Sequence, residues 1–97
     1  MKIDVASKEV IHFIGIGGIG MSGLAQIMNN MGFKVKGSDA NNNKNIHRLV
    51  KSKIKVNIGH NKKNIKNATM IVVSSAIKNT NKELIAAKIK KLPIITR

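Results

Sequence analysis

The sequence contains no cysteine, tryptophan or tyrosine, and it has a single proline among its 97 residues. The lack of cysteine excludes disulfides and thiolate metal sites and gives no indication of an oxidising compartment. The first ten residues lack the apolar segment of a signal peptide, and no apolar run approaches the ~20 residues of a membrane-spanning helix. We therefore expect a cytoplasmic protein with no membrane partner.

Acidic residues are also scarce: there are 4 against 18 lysines and arginines, which gives a formal net charge of +14. Such a charge is typical of nucleic-acid-binding proteins, because lysine-rich surfaces release counterions when they meet phosphates. However, 16 of these 18 residues are lysines, scattered along the chain together with 12 asparagines. Arginine forks and exposed aromatic platforms are missing. A compositional bias at solvent positions is the preferred interpretation, and a basic nucleic-acid-binding protein remains an alternative.

Apolar residues make up 42% of the chain, enough for one small core. Short β-type runs alternate with helix-type patterns along the whole sequence. The predicted strands are residues 10–16, 33–39, 53–60, 70–77 and 92–96. The predicted helices are residues 18–31, a short segment around 46–50, and 79–91, with a helical turn within 61–67. Strands that alternate with helices predict a parallel sheet and an α/β fold.

Right-handed crossover connections restrict how such a sheet is ordered. We expect a Rossmann-like three-layer α/β/α fold, with five parallel strands in the order 3-2-1-4-5 and a switch point between strands one and four. Ligands of such sheets bind beyond the carboxyl ends of the strands at the switch point. The segments predicted to arrive there are residues 15–20, 37–39, 59–60 and 74–77.

Gly15, Gly17 and Gly20 form a G-x-G-x-x-G motif directly after the first predicted strand and before a helix. In such motifs the first glycine permits a tight turn, the second lets the backbone approach a pyrophosphate, and the third lets helix and strand pack closely. We therefore expect Gly17→Val to abolish phosphate binding and Gly20→Val to disrupt the fold more severely.

Asp39 ends the second predicted strand, 24 residues after Gly15. An acidic residue at this place commonly accepts hydrogen bonds from ribose hydroxyls, although it also suits an Asx turn or a helix cap. From spacing alone the default ligand is NAD, so a stand-alone NAD(H)-sensing regulatory module stays open as an alternative. His12 and His47 are interpreted as a packing residue and a surface residue.

Several segments together resemble one known family. They are HFIGIGGIGMSGLA at 12–25, GSD at 37–39, IGH at 58–60, and VVSSAI at 72–77, which is followed by Asn81, Glu83, Leu84 and Ala87. These segments resemble the amino-terminal domain of the Mur ligase family of peptidoglycan synthesis, in the branch that joins L-alanine to UDP-N-acetylmuramic acid. The resemblance covers about residues 10–97. Lys82 departs from it, since the family usually has a proline there.

The resemblance implies a three-domain enzyme in which ATP phosphorylates the lactyl carboxylate of UDP-N-acetylmuramic acid and the alanine amine then displaces phosphate. In that family the first domain holds the UDP moiety, the second holds ATP and magnesium, and the third receives the amino acid. This sequence has no G-x-x-x-x-G-K-[ST] phosphate loop. We therefore expect these residues to form one UDP-binding domain of a longer ligase, to bind without catalysing, and to work with further domains of the same chain.

The resemblance also implies roles for individual residues. The backbone from Gly17 to Ser22 would contact the diphosphate, Asp39 the uridine, and His60 the edge of the uridine pocket. Hydrogen bonds to uracil would come from the segment 74–76. The Ser22 hydroxyl, His60 and segment 74–76 also have purely structural interpretations, which stay open. The complete predicted site comprises Gly15, Gly17, Gly18, Ile19, Gly20, Met21, Ser22, Asp39, His60, Ser74, Ser75 and Ala76, with no catalytic residue and no metal ligand.

Overall fold

The computed structural model describes residues 9–97, which form one parallel sheet with helices against both faces. The strands are β1 (Val10–Ile14), β2 (Lys34–Asp39), β3 (Lys55–Ile58), β4 (Met70–Val73) and β5 (Ile94–Thr96). The helices are α1 (Ile19–Asn30), α2 (Lys44–Lys51) and α3 (Lys82–Ile89), with a 3-10 turn at Lys62–Ile65. The sheet order is β3-β2-β1-β4-β5, and all neighbours are parallel. The predicted α/β fold and strand order are confirmed.

The core has two halves, one on each face of the sheet. On one face, Ile11 and Phe13 of β1 pack with Ala25 of α1 and Leu49 of α2. On the other face, Ile14 packs against residues of the 3-10 turn, β4 and α3. Because β1 lies at the centre of the sheet, its side chains are buried on both sides. This is why its sequence is apolar at nearly every position rather than alternating.

Most elements are shorter than predicted, since apolar residues continue beyond the ends of the strands. The run 10–16 ends as a strand at Ile14, where Gly15 turns the chain with φ +85°. The run 70–77 ends at Val73, and Ile77 N donates to the Ser74 carbonyl in a turn. The predicted segments 53–60, 79–91 and 92–96 are likewise trimmed at their ends to β3, α3 and β5.

The apolar residues of α1 recur at helical spacing, which predicts that they face the sheet, but three of them do not. Ile19, Ile27 and Met31 are 87%, 58% and 62% exposed. The helix packs against the sheet through the buried residues Met21 and Ala25 instead. Apolar residues surround much of this helix, so their spacing alone does not select the side that faces the sheet.

The glycine that permits close packing is Gly37 rather than Gly20. A Cβ atom on Gly37 would lie 2.5 Å from Ile16 Cδ1 and 2.8 Å from the Phe13 carbonyl oxygen. A Cβ on Gly20 would meet nothing nearer than Arg97 Nη2 at 3.7 Å, whereas one on Gly17 would lie 2.9 Å from an oxygen of Asp39. The expected ranking of fold damage, with Gly20→Val worse than Gly17→Val, is therefore wrong.

We predict that Gly37→Ala lowers the free energy of unfolding by about 2 kcal/mol, because the new methyl group overpacks a site enclosed by the Ile16 side chain and the Phe13 carbonyl. Gly23→Ala is the matched control, since a Cβ there meets nothing within 4 Å. This control should raise the stability by about 1 kcal/mol, as alanine is the better helix former. Urea unfolding followed by circular dichroism measures both changes. A Gly37→Ala variant as stable as the parent chain would contradict the assignment.

Candidate functional site

The chain leaves β1 through a glycine turn that is tied to both neighbouring strands. Gly15 N and Ile16 N donate to the Ser38 carbonyl of β2 at 2.9 and 3.0 Å. A Cβ on Gly15 would lie 3.1 Å from Ser74 Cβ, and its φ of +85° favours glycine in any case. The turn is therefore fixed between the carboxyl ends of β2 and β4, at the switch point of the sheet.

Helix α1 begins at this turn with backbone donors that no side chain caps. Its N-cap is Gly18, which forms no side-chain cap hydrogen bond, and its first turn has no acidic residue. The N–H groups of Gly17 and Ser22 already donate, to Asp39 Oδ2 at 2.8 Å and to the Gly18 carbonyl at 2.7 Å. Within residues 9–97 the N–H groups of positions 19–21 have no acceptor. Such donors, together with the helix dipole, attract an anion.

Polar residues after β2 hold the glycine turn in place. Besides binding Gly17, Asp39 accepts from Asn41 N at 3.2 Å through Oδ1, so the Asx-turn interpretation of Asp39 is confirmed. The Gly17 carbonyl accepts from Asn43 Nδ2 at 3.3 Å and from Asn45 Nδ2 at 2.9 Å. Sequence reasoning missed these two asparagines. An asparagine directly before a helix is a capping signal, and Asn43 does cap α2 by accepting from Ile46 N.

A cavity of about 280 Å³ opens at the carboxyl ends of the strands. Seven predicted site residues line it: Gly15, Gly17, Gly18, Asp39, His60, Ser74 and Ala76. Ala40, Asn43 and Ile77 line it as well and were not predicted. No lysine or arginine is among these lining residues. An anion at this cavity would therefore meet backbone amides and the start of α1, and no basic residue of the lining.

Five predicted site residues do not line this cavity. Ile19, Gly20 and Ser75 are exposed, while the Met21 side chain is buried in the core. The Ser22 hydroxyl donates to the Ile19 carbonyl at 3.2 Å, which matches its structural interpretation. Among these residues, Ile19, Gly20 and Met21 have no polar side-chain group, so they could offer a ligand only backbone contacts.

The segment after β4 forms a strand-end turn beside the cavity. Ser74 Oγ accepts from Ala76 N at 3.2 Å, and Ser75 N donates to the Arg97 carbonyl at 2.8 Å. The Arg97 guanidinium lies beside Gly20, 3.7 Å from the place a Cβ there would occupy. A fixed positive charge therefore lies next to the open amides of α1.

A buried carboxylate lies behind the cavity, and sequence reasoning did not assign it. Glu83 of α3 is fully buried. Its Oε1 lies 2.6 Å from His12 Nε2 and 2.7 Å from Ser38 Oγ. Its Oε2 lies 2.7 Å from Asn64 Nδ2, 3.0 Å from Asn61 N and 3.3 Å from His60 Nδ1. The network joins the central strands, the 3-10 turn and α3.

Both Glu83 and His12 have pKa values below their usual ones. Burial alone would raise the pKa of Glu83, but hydrogen bonds from His12, Asn64 and Ser38 outweigh it and lower this pKa to about 2. Burial lowers the pKa of His12 below its usual value despite the bond to Glu83. The unpartnered, buried Nδ1 of His12 explains this direction, since a second proton would have no acceptor. His12 is thus buried as expected, and it also pairs with Glu83, while His47 is exposed as expected.

A larger cavity, of about 510 Å³, lies near the start of β1 and β3 and is lined by several lysines. Lys36 Nζ donates there to the carbonyls of Asn64 at 2.6 Å and Lys66 at 2.7 Å. Burial and the nearby Lys55 lower the pKa of Lys36. Two of the three ammonium protons of Lys36 are therefore used to hold the fold together.

The sequence profile described as "Mur ligase family, catalytic domain" matches residues 10–97. The chain belongs to the Mur ligase family. Over its full length it is 66% identical to the UDP-N-acetylmuramate–L-alanine ligase of Pelagibacter ubique and 56% identical to that of Bartonella bacilliformis. It spans 21% and 20% of these two relatives, about a fifth of their length. The resemblance predicted from the glycine and VVSSAI segments is confirmed.

Solved structures of Mur ligases share the fold. The UDP-N-acetylmuramate-alanine ligase of Thermotoga maritima superposes with a TM-score of 0.87 at 32% identity, over 90% of this chain and 20% of that one. The UDP-N-acetylmuramate:L-alanyl-gamma-D-glutamyl-meso-diaminopimelate ligase of Neisseria meningitides gives 0.84 at 32% identity, over 91% and 28%. Within residues 9–97 no helix is long and apolar enough to cross a membrane.

We predict that acid destabilises the fold in two steps. The lowered pKa of His12 contributes stability that is lost as pH falls below the usual 6.5. The lowered pKa of Glu83 contributes stability that is present above 4.5 and lost as pH falls towards 2. The second contribution amounts to about 3 kcal/mol when complete.

Urea unfolding between pH 8 and pH 3 measures these losses. Glu83→Gln should be less stable at neutral pH and should lose most of the dependence below pH 4.5, because only three other acidic residues occur in the chain. A free energy of unfolding that stays constant from pH 7 to pH 3 would contradict the network.

Proposed function

We propose that this chain is the UDP-binding part of an ATP-dependent ligase that joins L-alanine to UDP-N-acetylmuramic acid. The observation that carries the proposal is the set of open backbone amides at the start of α1, beside the switch-point cavity. Membership of the Mur ligase family, with close relatives named for this reaction, supports the same substrate.

The diphosphate is expected at the amides of positions 19–21. A hydrogen bond to a charged group contributes about 1.5–3 kcal/mol, so three such bonds suffice to anchor it. The Arg97 guanidinium beside Gly20 adds a positive charge at that place. A phosphate at this edge leaves the uridine to enter the cavity between Asp39 and Ser74. The proposed contacts are thus mainly backbone contacts, with side chains reserved for the uridine.

The described residues do not fit a site for ATP and magnesium. Glu83 is buried and fully engaged, and both oxygens of Asp39 accept backbone hydrogen bonds. The chain also has no G-x-x-x-x-G-K-[ST] loop. We therefore propose that phosphorylation of the substrate carboxylate, and its attack by alanine, take place on other parts of the ligase. This chain binds the substrate and does not catalyse by itself.

Calorimetric titration separates this proposal from the two alternatives. UDP-N-acetylmuramic acid should bind, and UDP should bind more tightly than uridine. Tight binding of NADH without binding of the UDP sugar would support a nicotinamide-sensing module instead. A basic nucleic-acid-binding protein would bind oligonucleotides with an affinity that falls steeply with salt, in proportion to its phosphate contacts.

We predict that Gly18→Asp stabilises the fold and abolishes UDP binding. Gly18 is the N-cap of α1 with ordinary backbone angles, and a Cβ there meets only atoms at 3.7 Å or more. An aspartate accepts from the first-turn amides and improves the cap by a few tenths of a kcal/mol. The same carboxylate occupies and repels the proposed diphosphate site. Affinity for UDP should fall at least about 100-fold, the equivalent of two charged hydrogen bonds.

The matched control is Gly23→Asp, which makes the same change of charge one turn later on the exposed side of α1. It should leave UDP affinity within about threefold, since a solvent-exposed charge is well screened. Equal affinities of the parent chain and the Gly18→Asp variant would refute the proposed diphosphate site.

A further inference from the structure

We propose that Glu83 is a positioning residue: it holds the His60 imidazole as the Nδ1–H tautomer, so that Nε2 offers a hydrogen-bond acceptor to a donor group of the nucleoside. This inference rests on the proposed function for the identity of the ligand. It adds a role for a carboxylate that lies behind the cavity and does not line it.

The ionised Glu83 carboxylate determines which of its neighbours donate protons. An ionised carboxylate only accepts hydrogen bonds, so each of its polar neighbours must donate to it. Ser38 has a single hydroxyl proton and gives it to Oε1 at 2.7 Å. The Ser38 oxygen is then left as an acceptor towards His60 Nδ1, which lies 3.0 Å away.

The neighbours of His60 determine its tautomer. His60 Nδ1 faces two acceptors, the Ser38 oxygen and Glu83 Oε2 at 3.3 Å. Both contacts are favourable only if Nδ1 has the proton. A neutral imidazole has one donor and one acceptor nitrogen, so Nε2 is the acceptor. Within residues 9–97 the hydrogen bonds of His60 are made by Nδ1, and its side chain is 16% exposed where it lines the cavity.

His12 contacts the other oxygen of the same carboxylate. Its Nε2 lies 2.6 Å from Oε1, and its buried Nδ1 has no partner among residues 9–97. His12 is therefore the Nε2–H tautomer, the opposite of His60. One carboxylate thus imposes two different tautomers, because the two rings approach it through different nitrogens.

The acceptor nitrogen of His60 limits which groups of a ligand it can bind. A neutral acceptor nitrogen repels phosphate oxygens and pairs with a donor. The donors of a uridine nucleotide are the ribose hydroxyls and the imide N–H of uracil. We therefore assign the contact to the nucleoside and not to the diphosphate, which the open amides of α1 are proposed to hold.

The tautomers are tested directly by nitrogen NMR of the ¹⁵N-labelled chain at pH 8, above the usual pKa of an imidazole. The chain has only three histidines, which makes assignment practical. His60 should show a protonated Nδ1 and a non-protonated Nε2, and His12 the reverse. In Glu83→Gln the His60 signals should shift towards a mixture of tautomers. A His60 that is Nε2–H in the parent chain would overturn the proposal, whatever the variants do.

The effect on binding is tested by a double-mutant cycle with UDP as the ligand. Glu83→Gln and His60→Ala should each weaken binding roughly three- to tenfold, the loss of one neutral hydrogen bond. If Glu83 acts through His60, then Glu83→Gln should have no further effect in the His60→Ala background. Additive losses would overturn the positioning role, since they would mean that Glu83 affects binding by another route.

A pair of variants at His60 covers the case in which Glu83→Gln fails to fold. His60→Asn keeps a donor near the Nδ1 position, whereas His60→Gln keeps a polar group near the Nε2 position. The proposal expects His60→Gln to bind UDP more tightly than His60→Asn. The opposite order would overturn the proposal. Binding would then depend on the contact of Nδ1 with Ser38 and Glu83 and not on Nε2.

The nucleoside donor is identified with three analogues. Loss of the His60 dependence with 2′-deoxyuridine or 3′-deoxyuridine diphosphate assigns the contact to that ribose hydroxyl, and its loss with N3-methyluridine diphosphate assigns it to the imide. Persistence with all three would overturn the assignment to the nucleoside. If the parent chain binds no UDP at all, the proposed function and the nucleoside contact fail together, whereas the NMR result still decides the tautomer.

Discussion

The carboxyl end of β1 is held to the end of β2 by a small set of hydrogen bonds, and the site depends on them. Gly15 and Ile16 donate to the Ser38 carbonyl, while Gly17 donates to Asp39. These contacts turn the chain so that, within residues 9–97, the first amides of α1 have no acceptor. The proposed anion site depends on this turn, because only this course of the chain leaves those amides open at the edge of the cavity. The glycines matter here because Gly15 adopts a positive φ that would strain any other residue, and because Gly17 has no room for a Cβ atom.

Glu83 makes a second set of contacts behind the same cavity. A buried charge is costly unless it is fully hydrogen-bonded, and Glu83 is surrounded by five donor groups. We expect this cost to appear as sensitivity to acid, since protonation of Glu83 weakens hydrogen bonds that join β1, β2, the 3-10 turn and α3. The benefit is rigidity, because the network fixes Ser38 and His60 from behind. One carboxylate on α3 therefore couples the stability of the fold to the shape of the cavity.

The fold could be predicted from the sequence because its signals are local and repeated. Apolar runs, glycine turns and helical spacing together gave the parallel sheet and its order. The ends of the strands were harder to predict from the sequence. Ile16 and Ile77 are apolar like the strand residues before them, but they lie in turns and pack from there. The role of Gly37 was missed because it depends on Ile16, which folds back over β2. The Glu83 network was missed because its members are far apart in the sequence: His12 and Glu83 are separated by 71 positions.

The composition is a poor guide to the site of this protein. The many lysines suggest that anions bind in the lysine-lined cavity beside Lys36, which is larger than the switch-point cavity. The switch-point cavity has no lysine or arginine in its lining, yet it lies beside the convergent open amides. Backbone donors held in one arrangement can select one anion, whereas scattered lysines attract any polyanion. The proposed site thus depends on backbone geometry more than on net charge.

A crystal structure of the chain with UDP-N-acetylmuramic acid would show whether the amides of α1 hold the diphosphate. We expect diphosphate oxygens about 3 Å from the amide nitrogens of positions 19–21, with the uridine in the cavity beside His60. A diphosphate bound among the lysines near Lys36, with the amides of α1 facing only water, would contradict it.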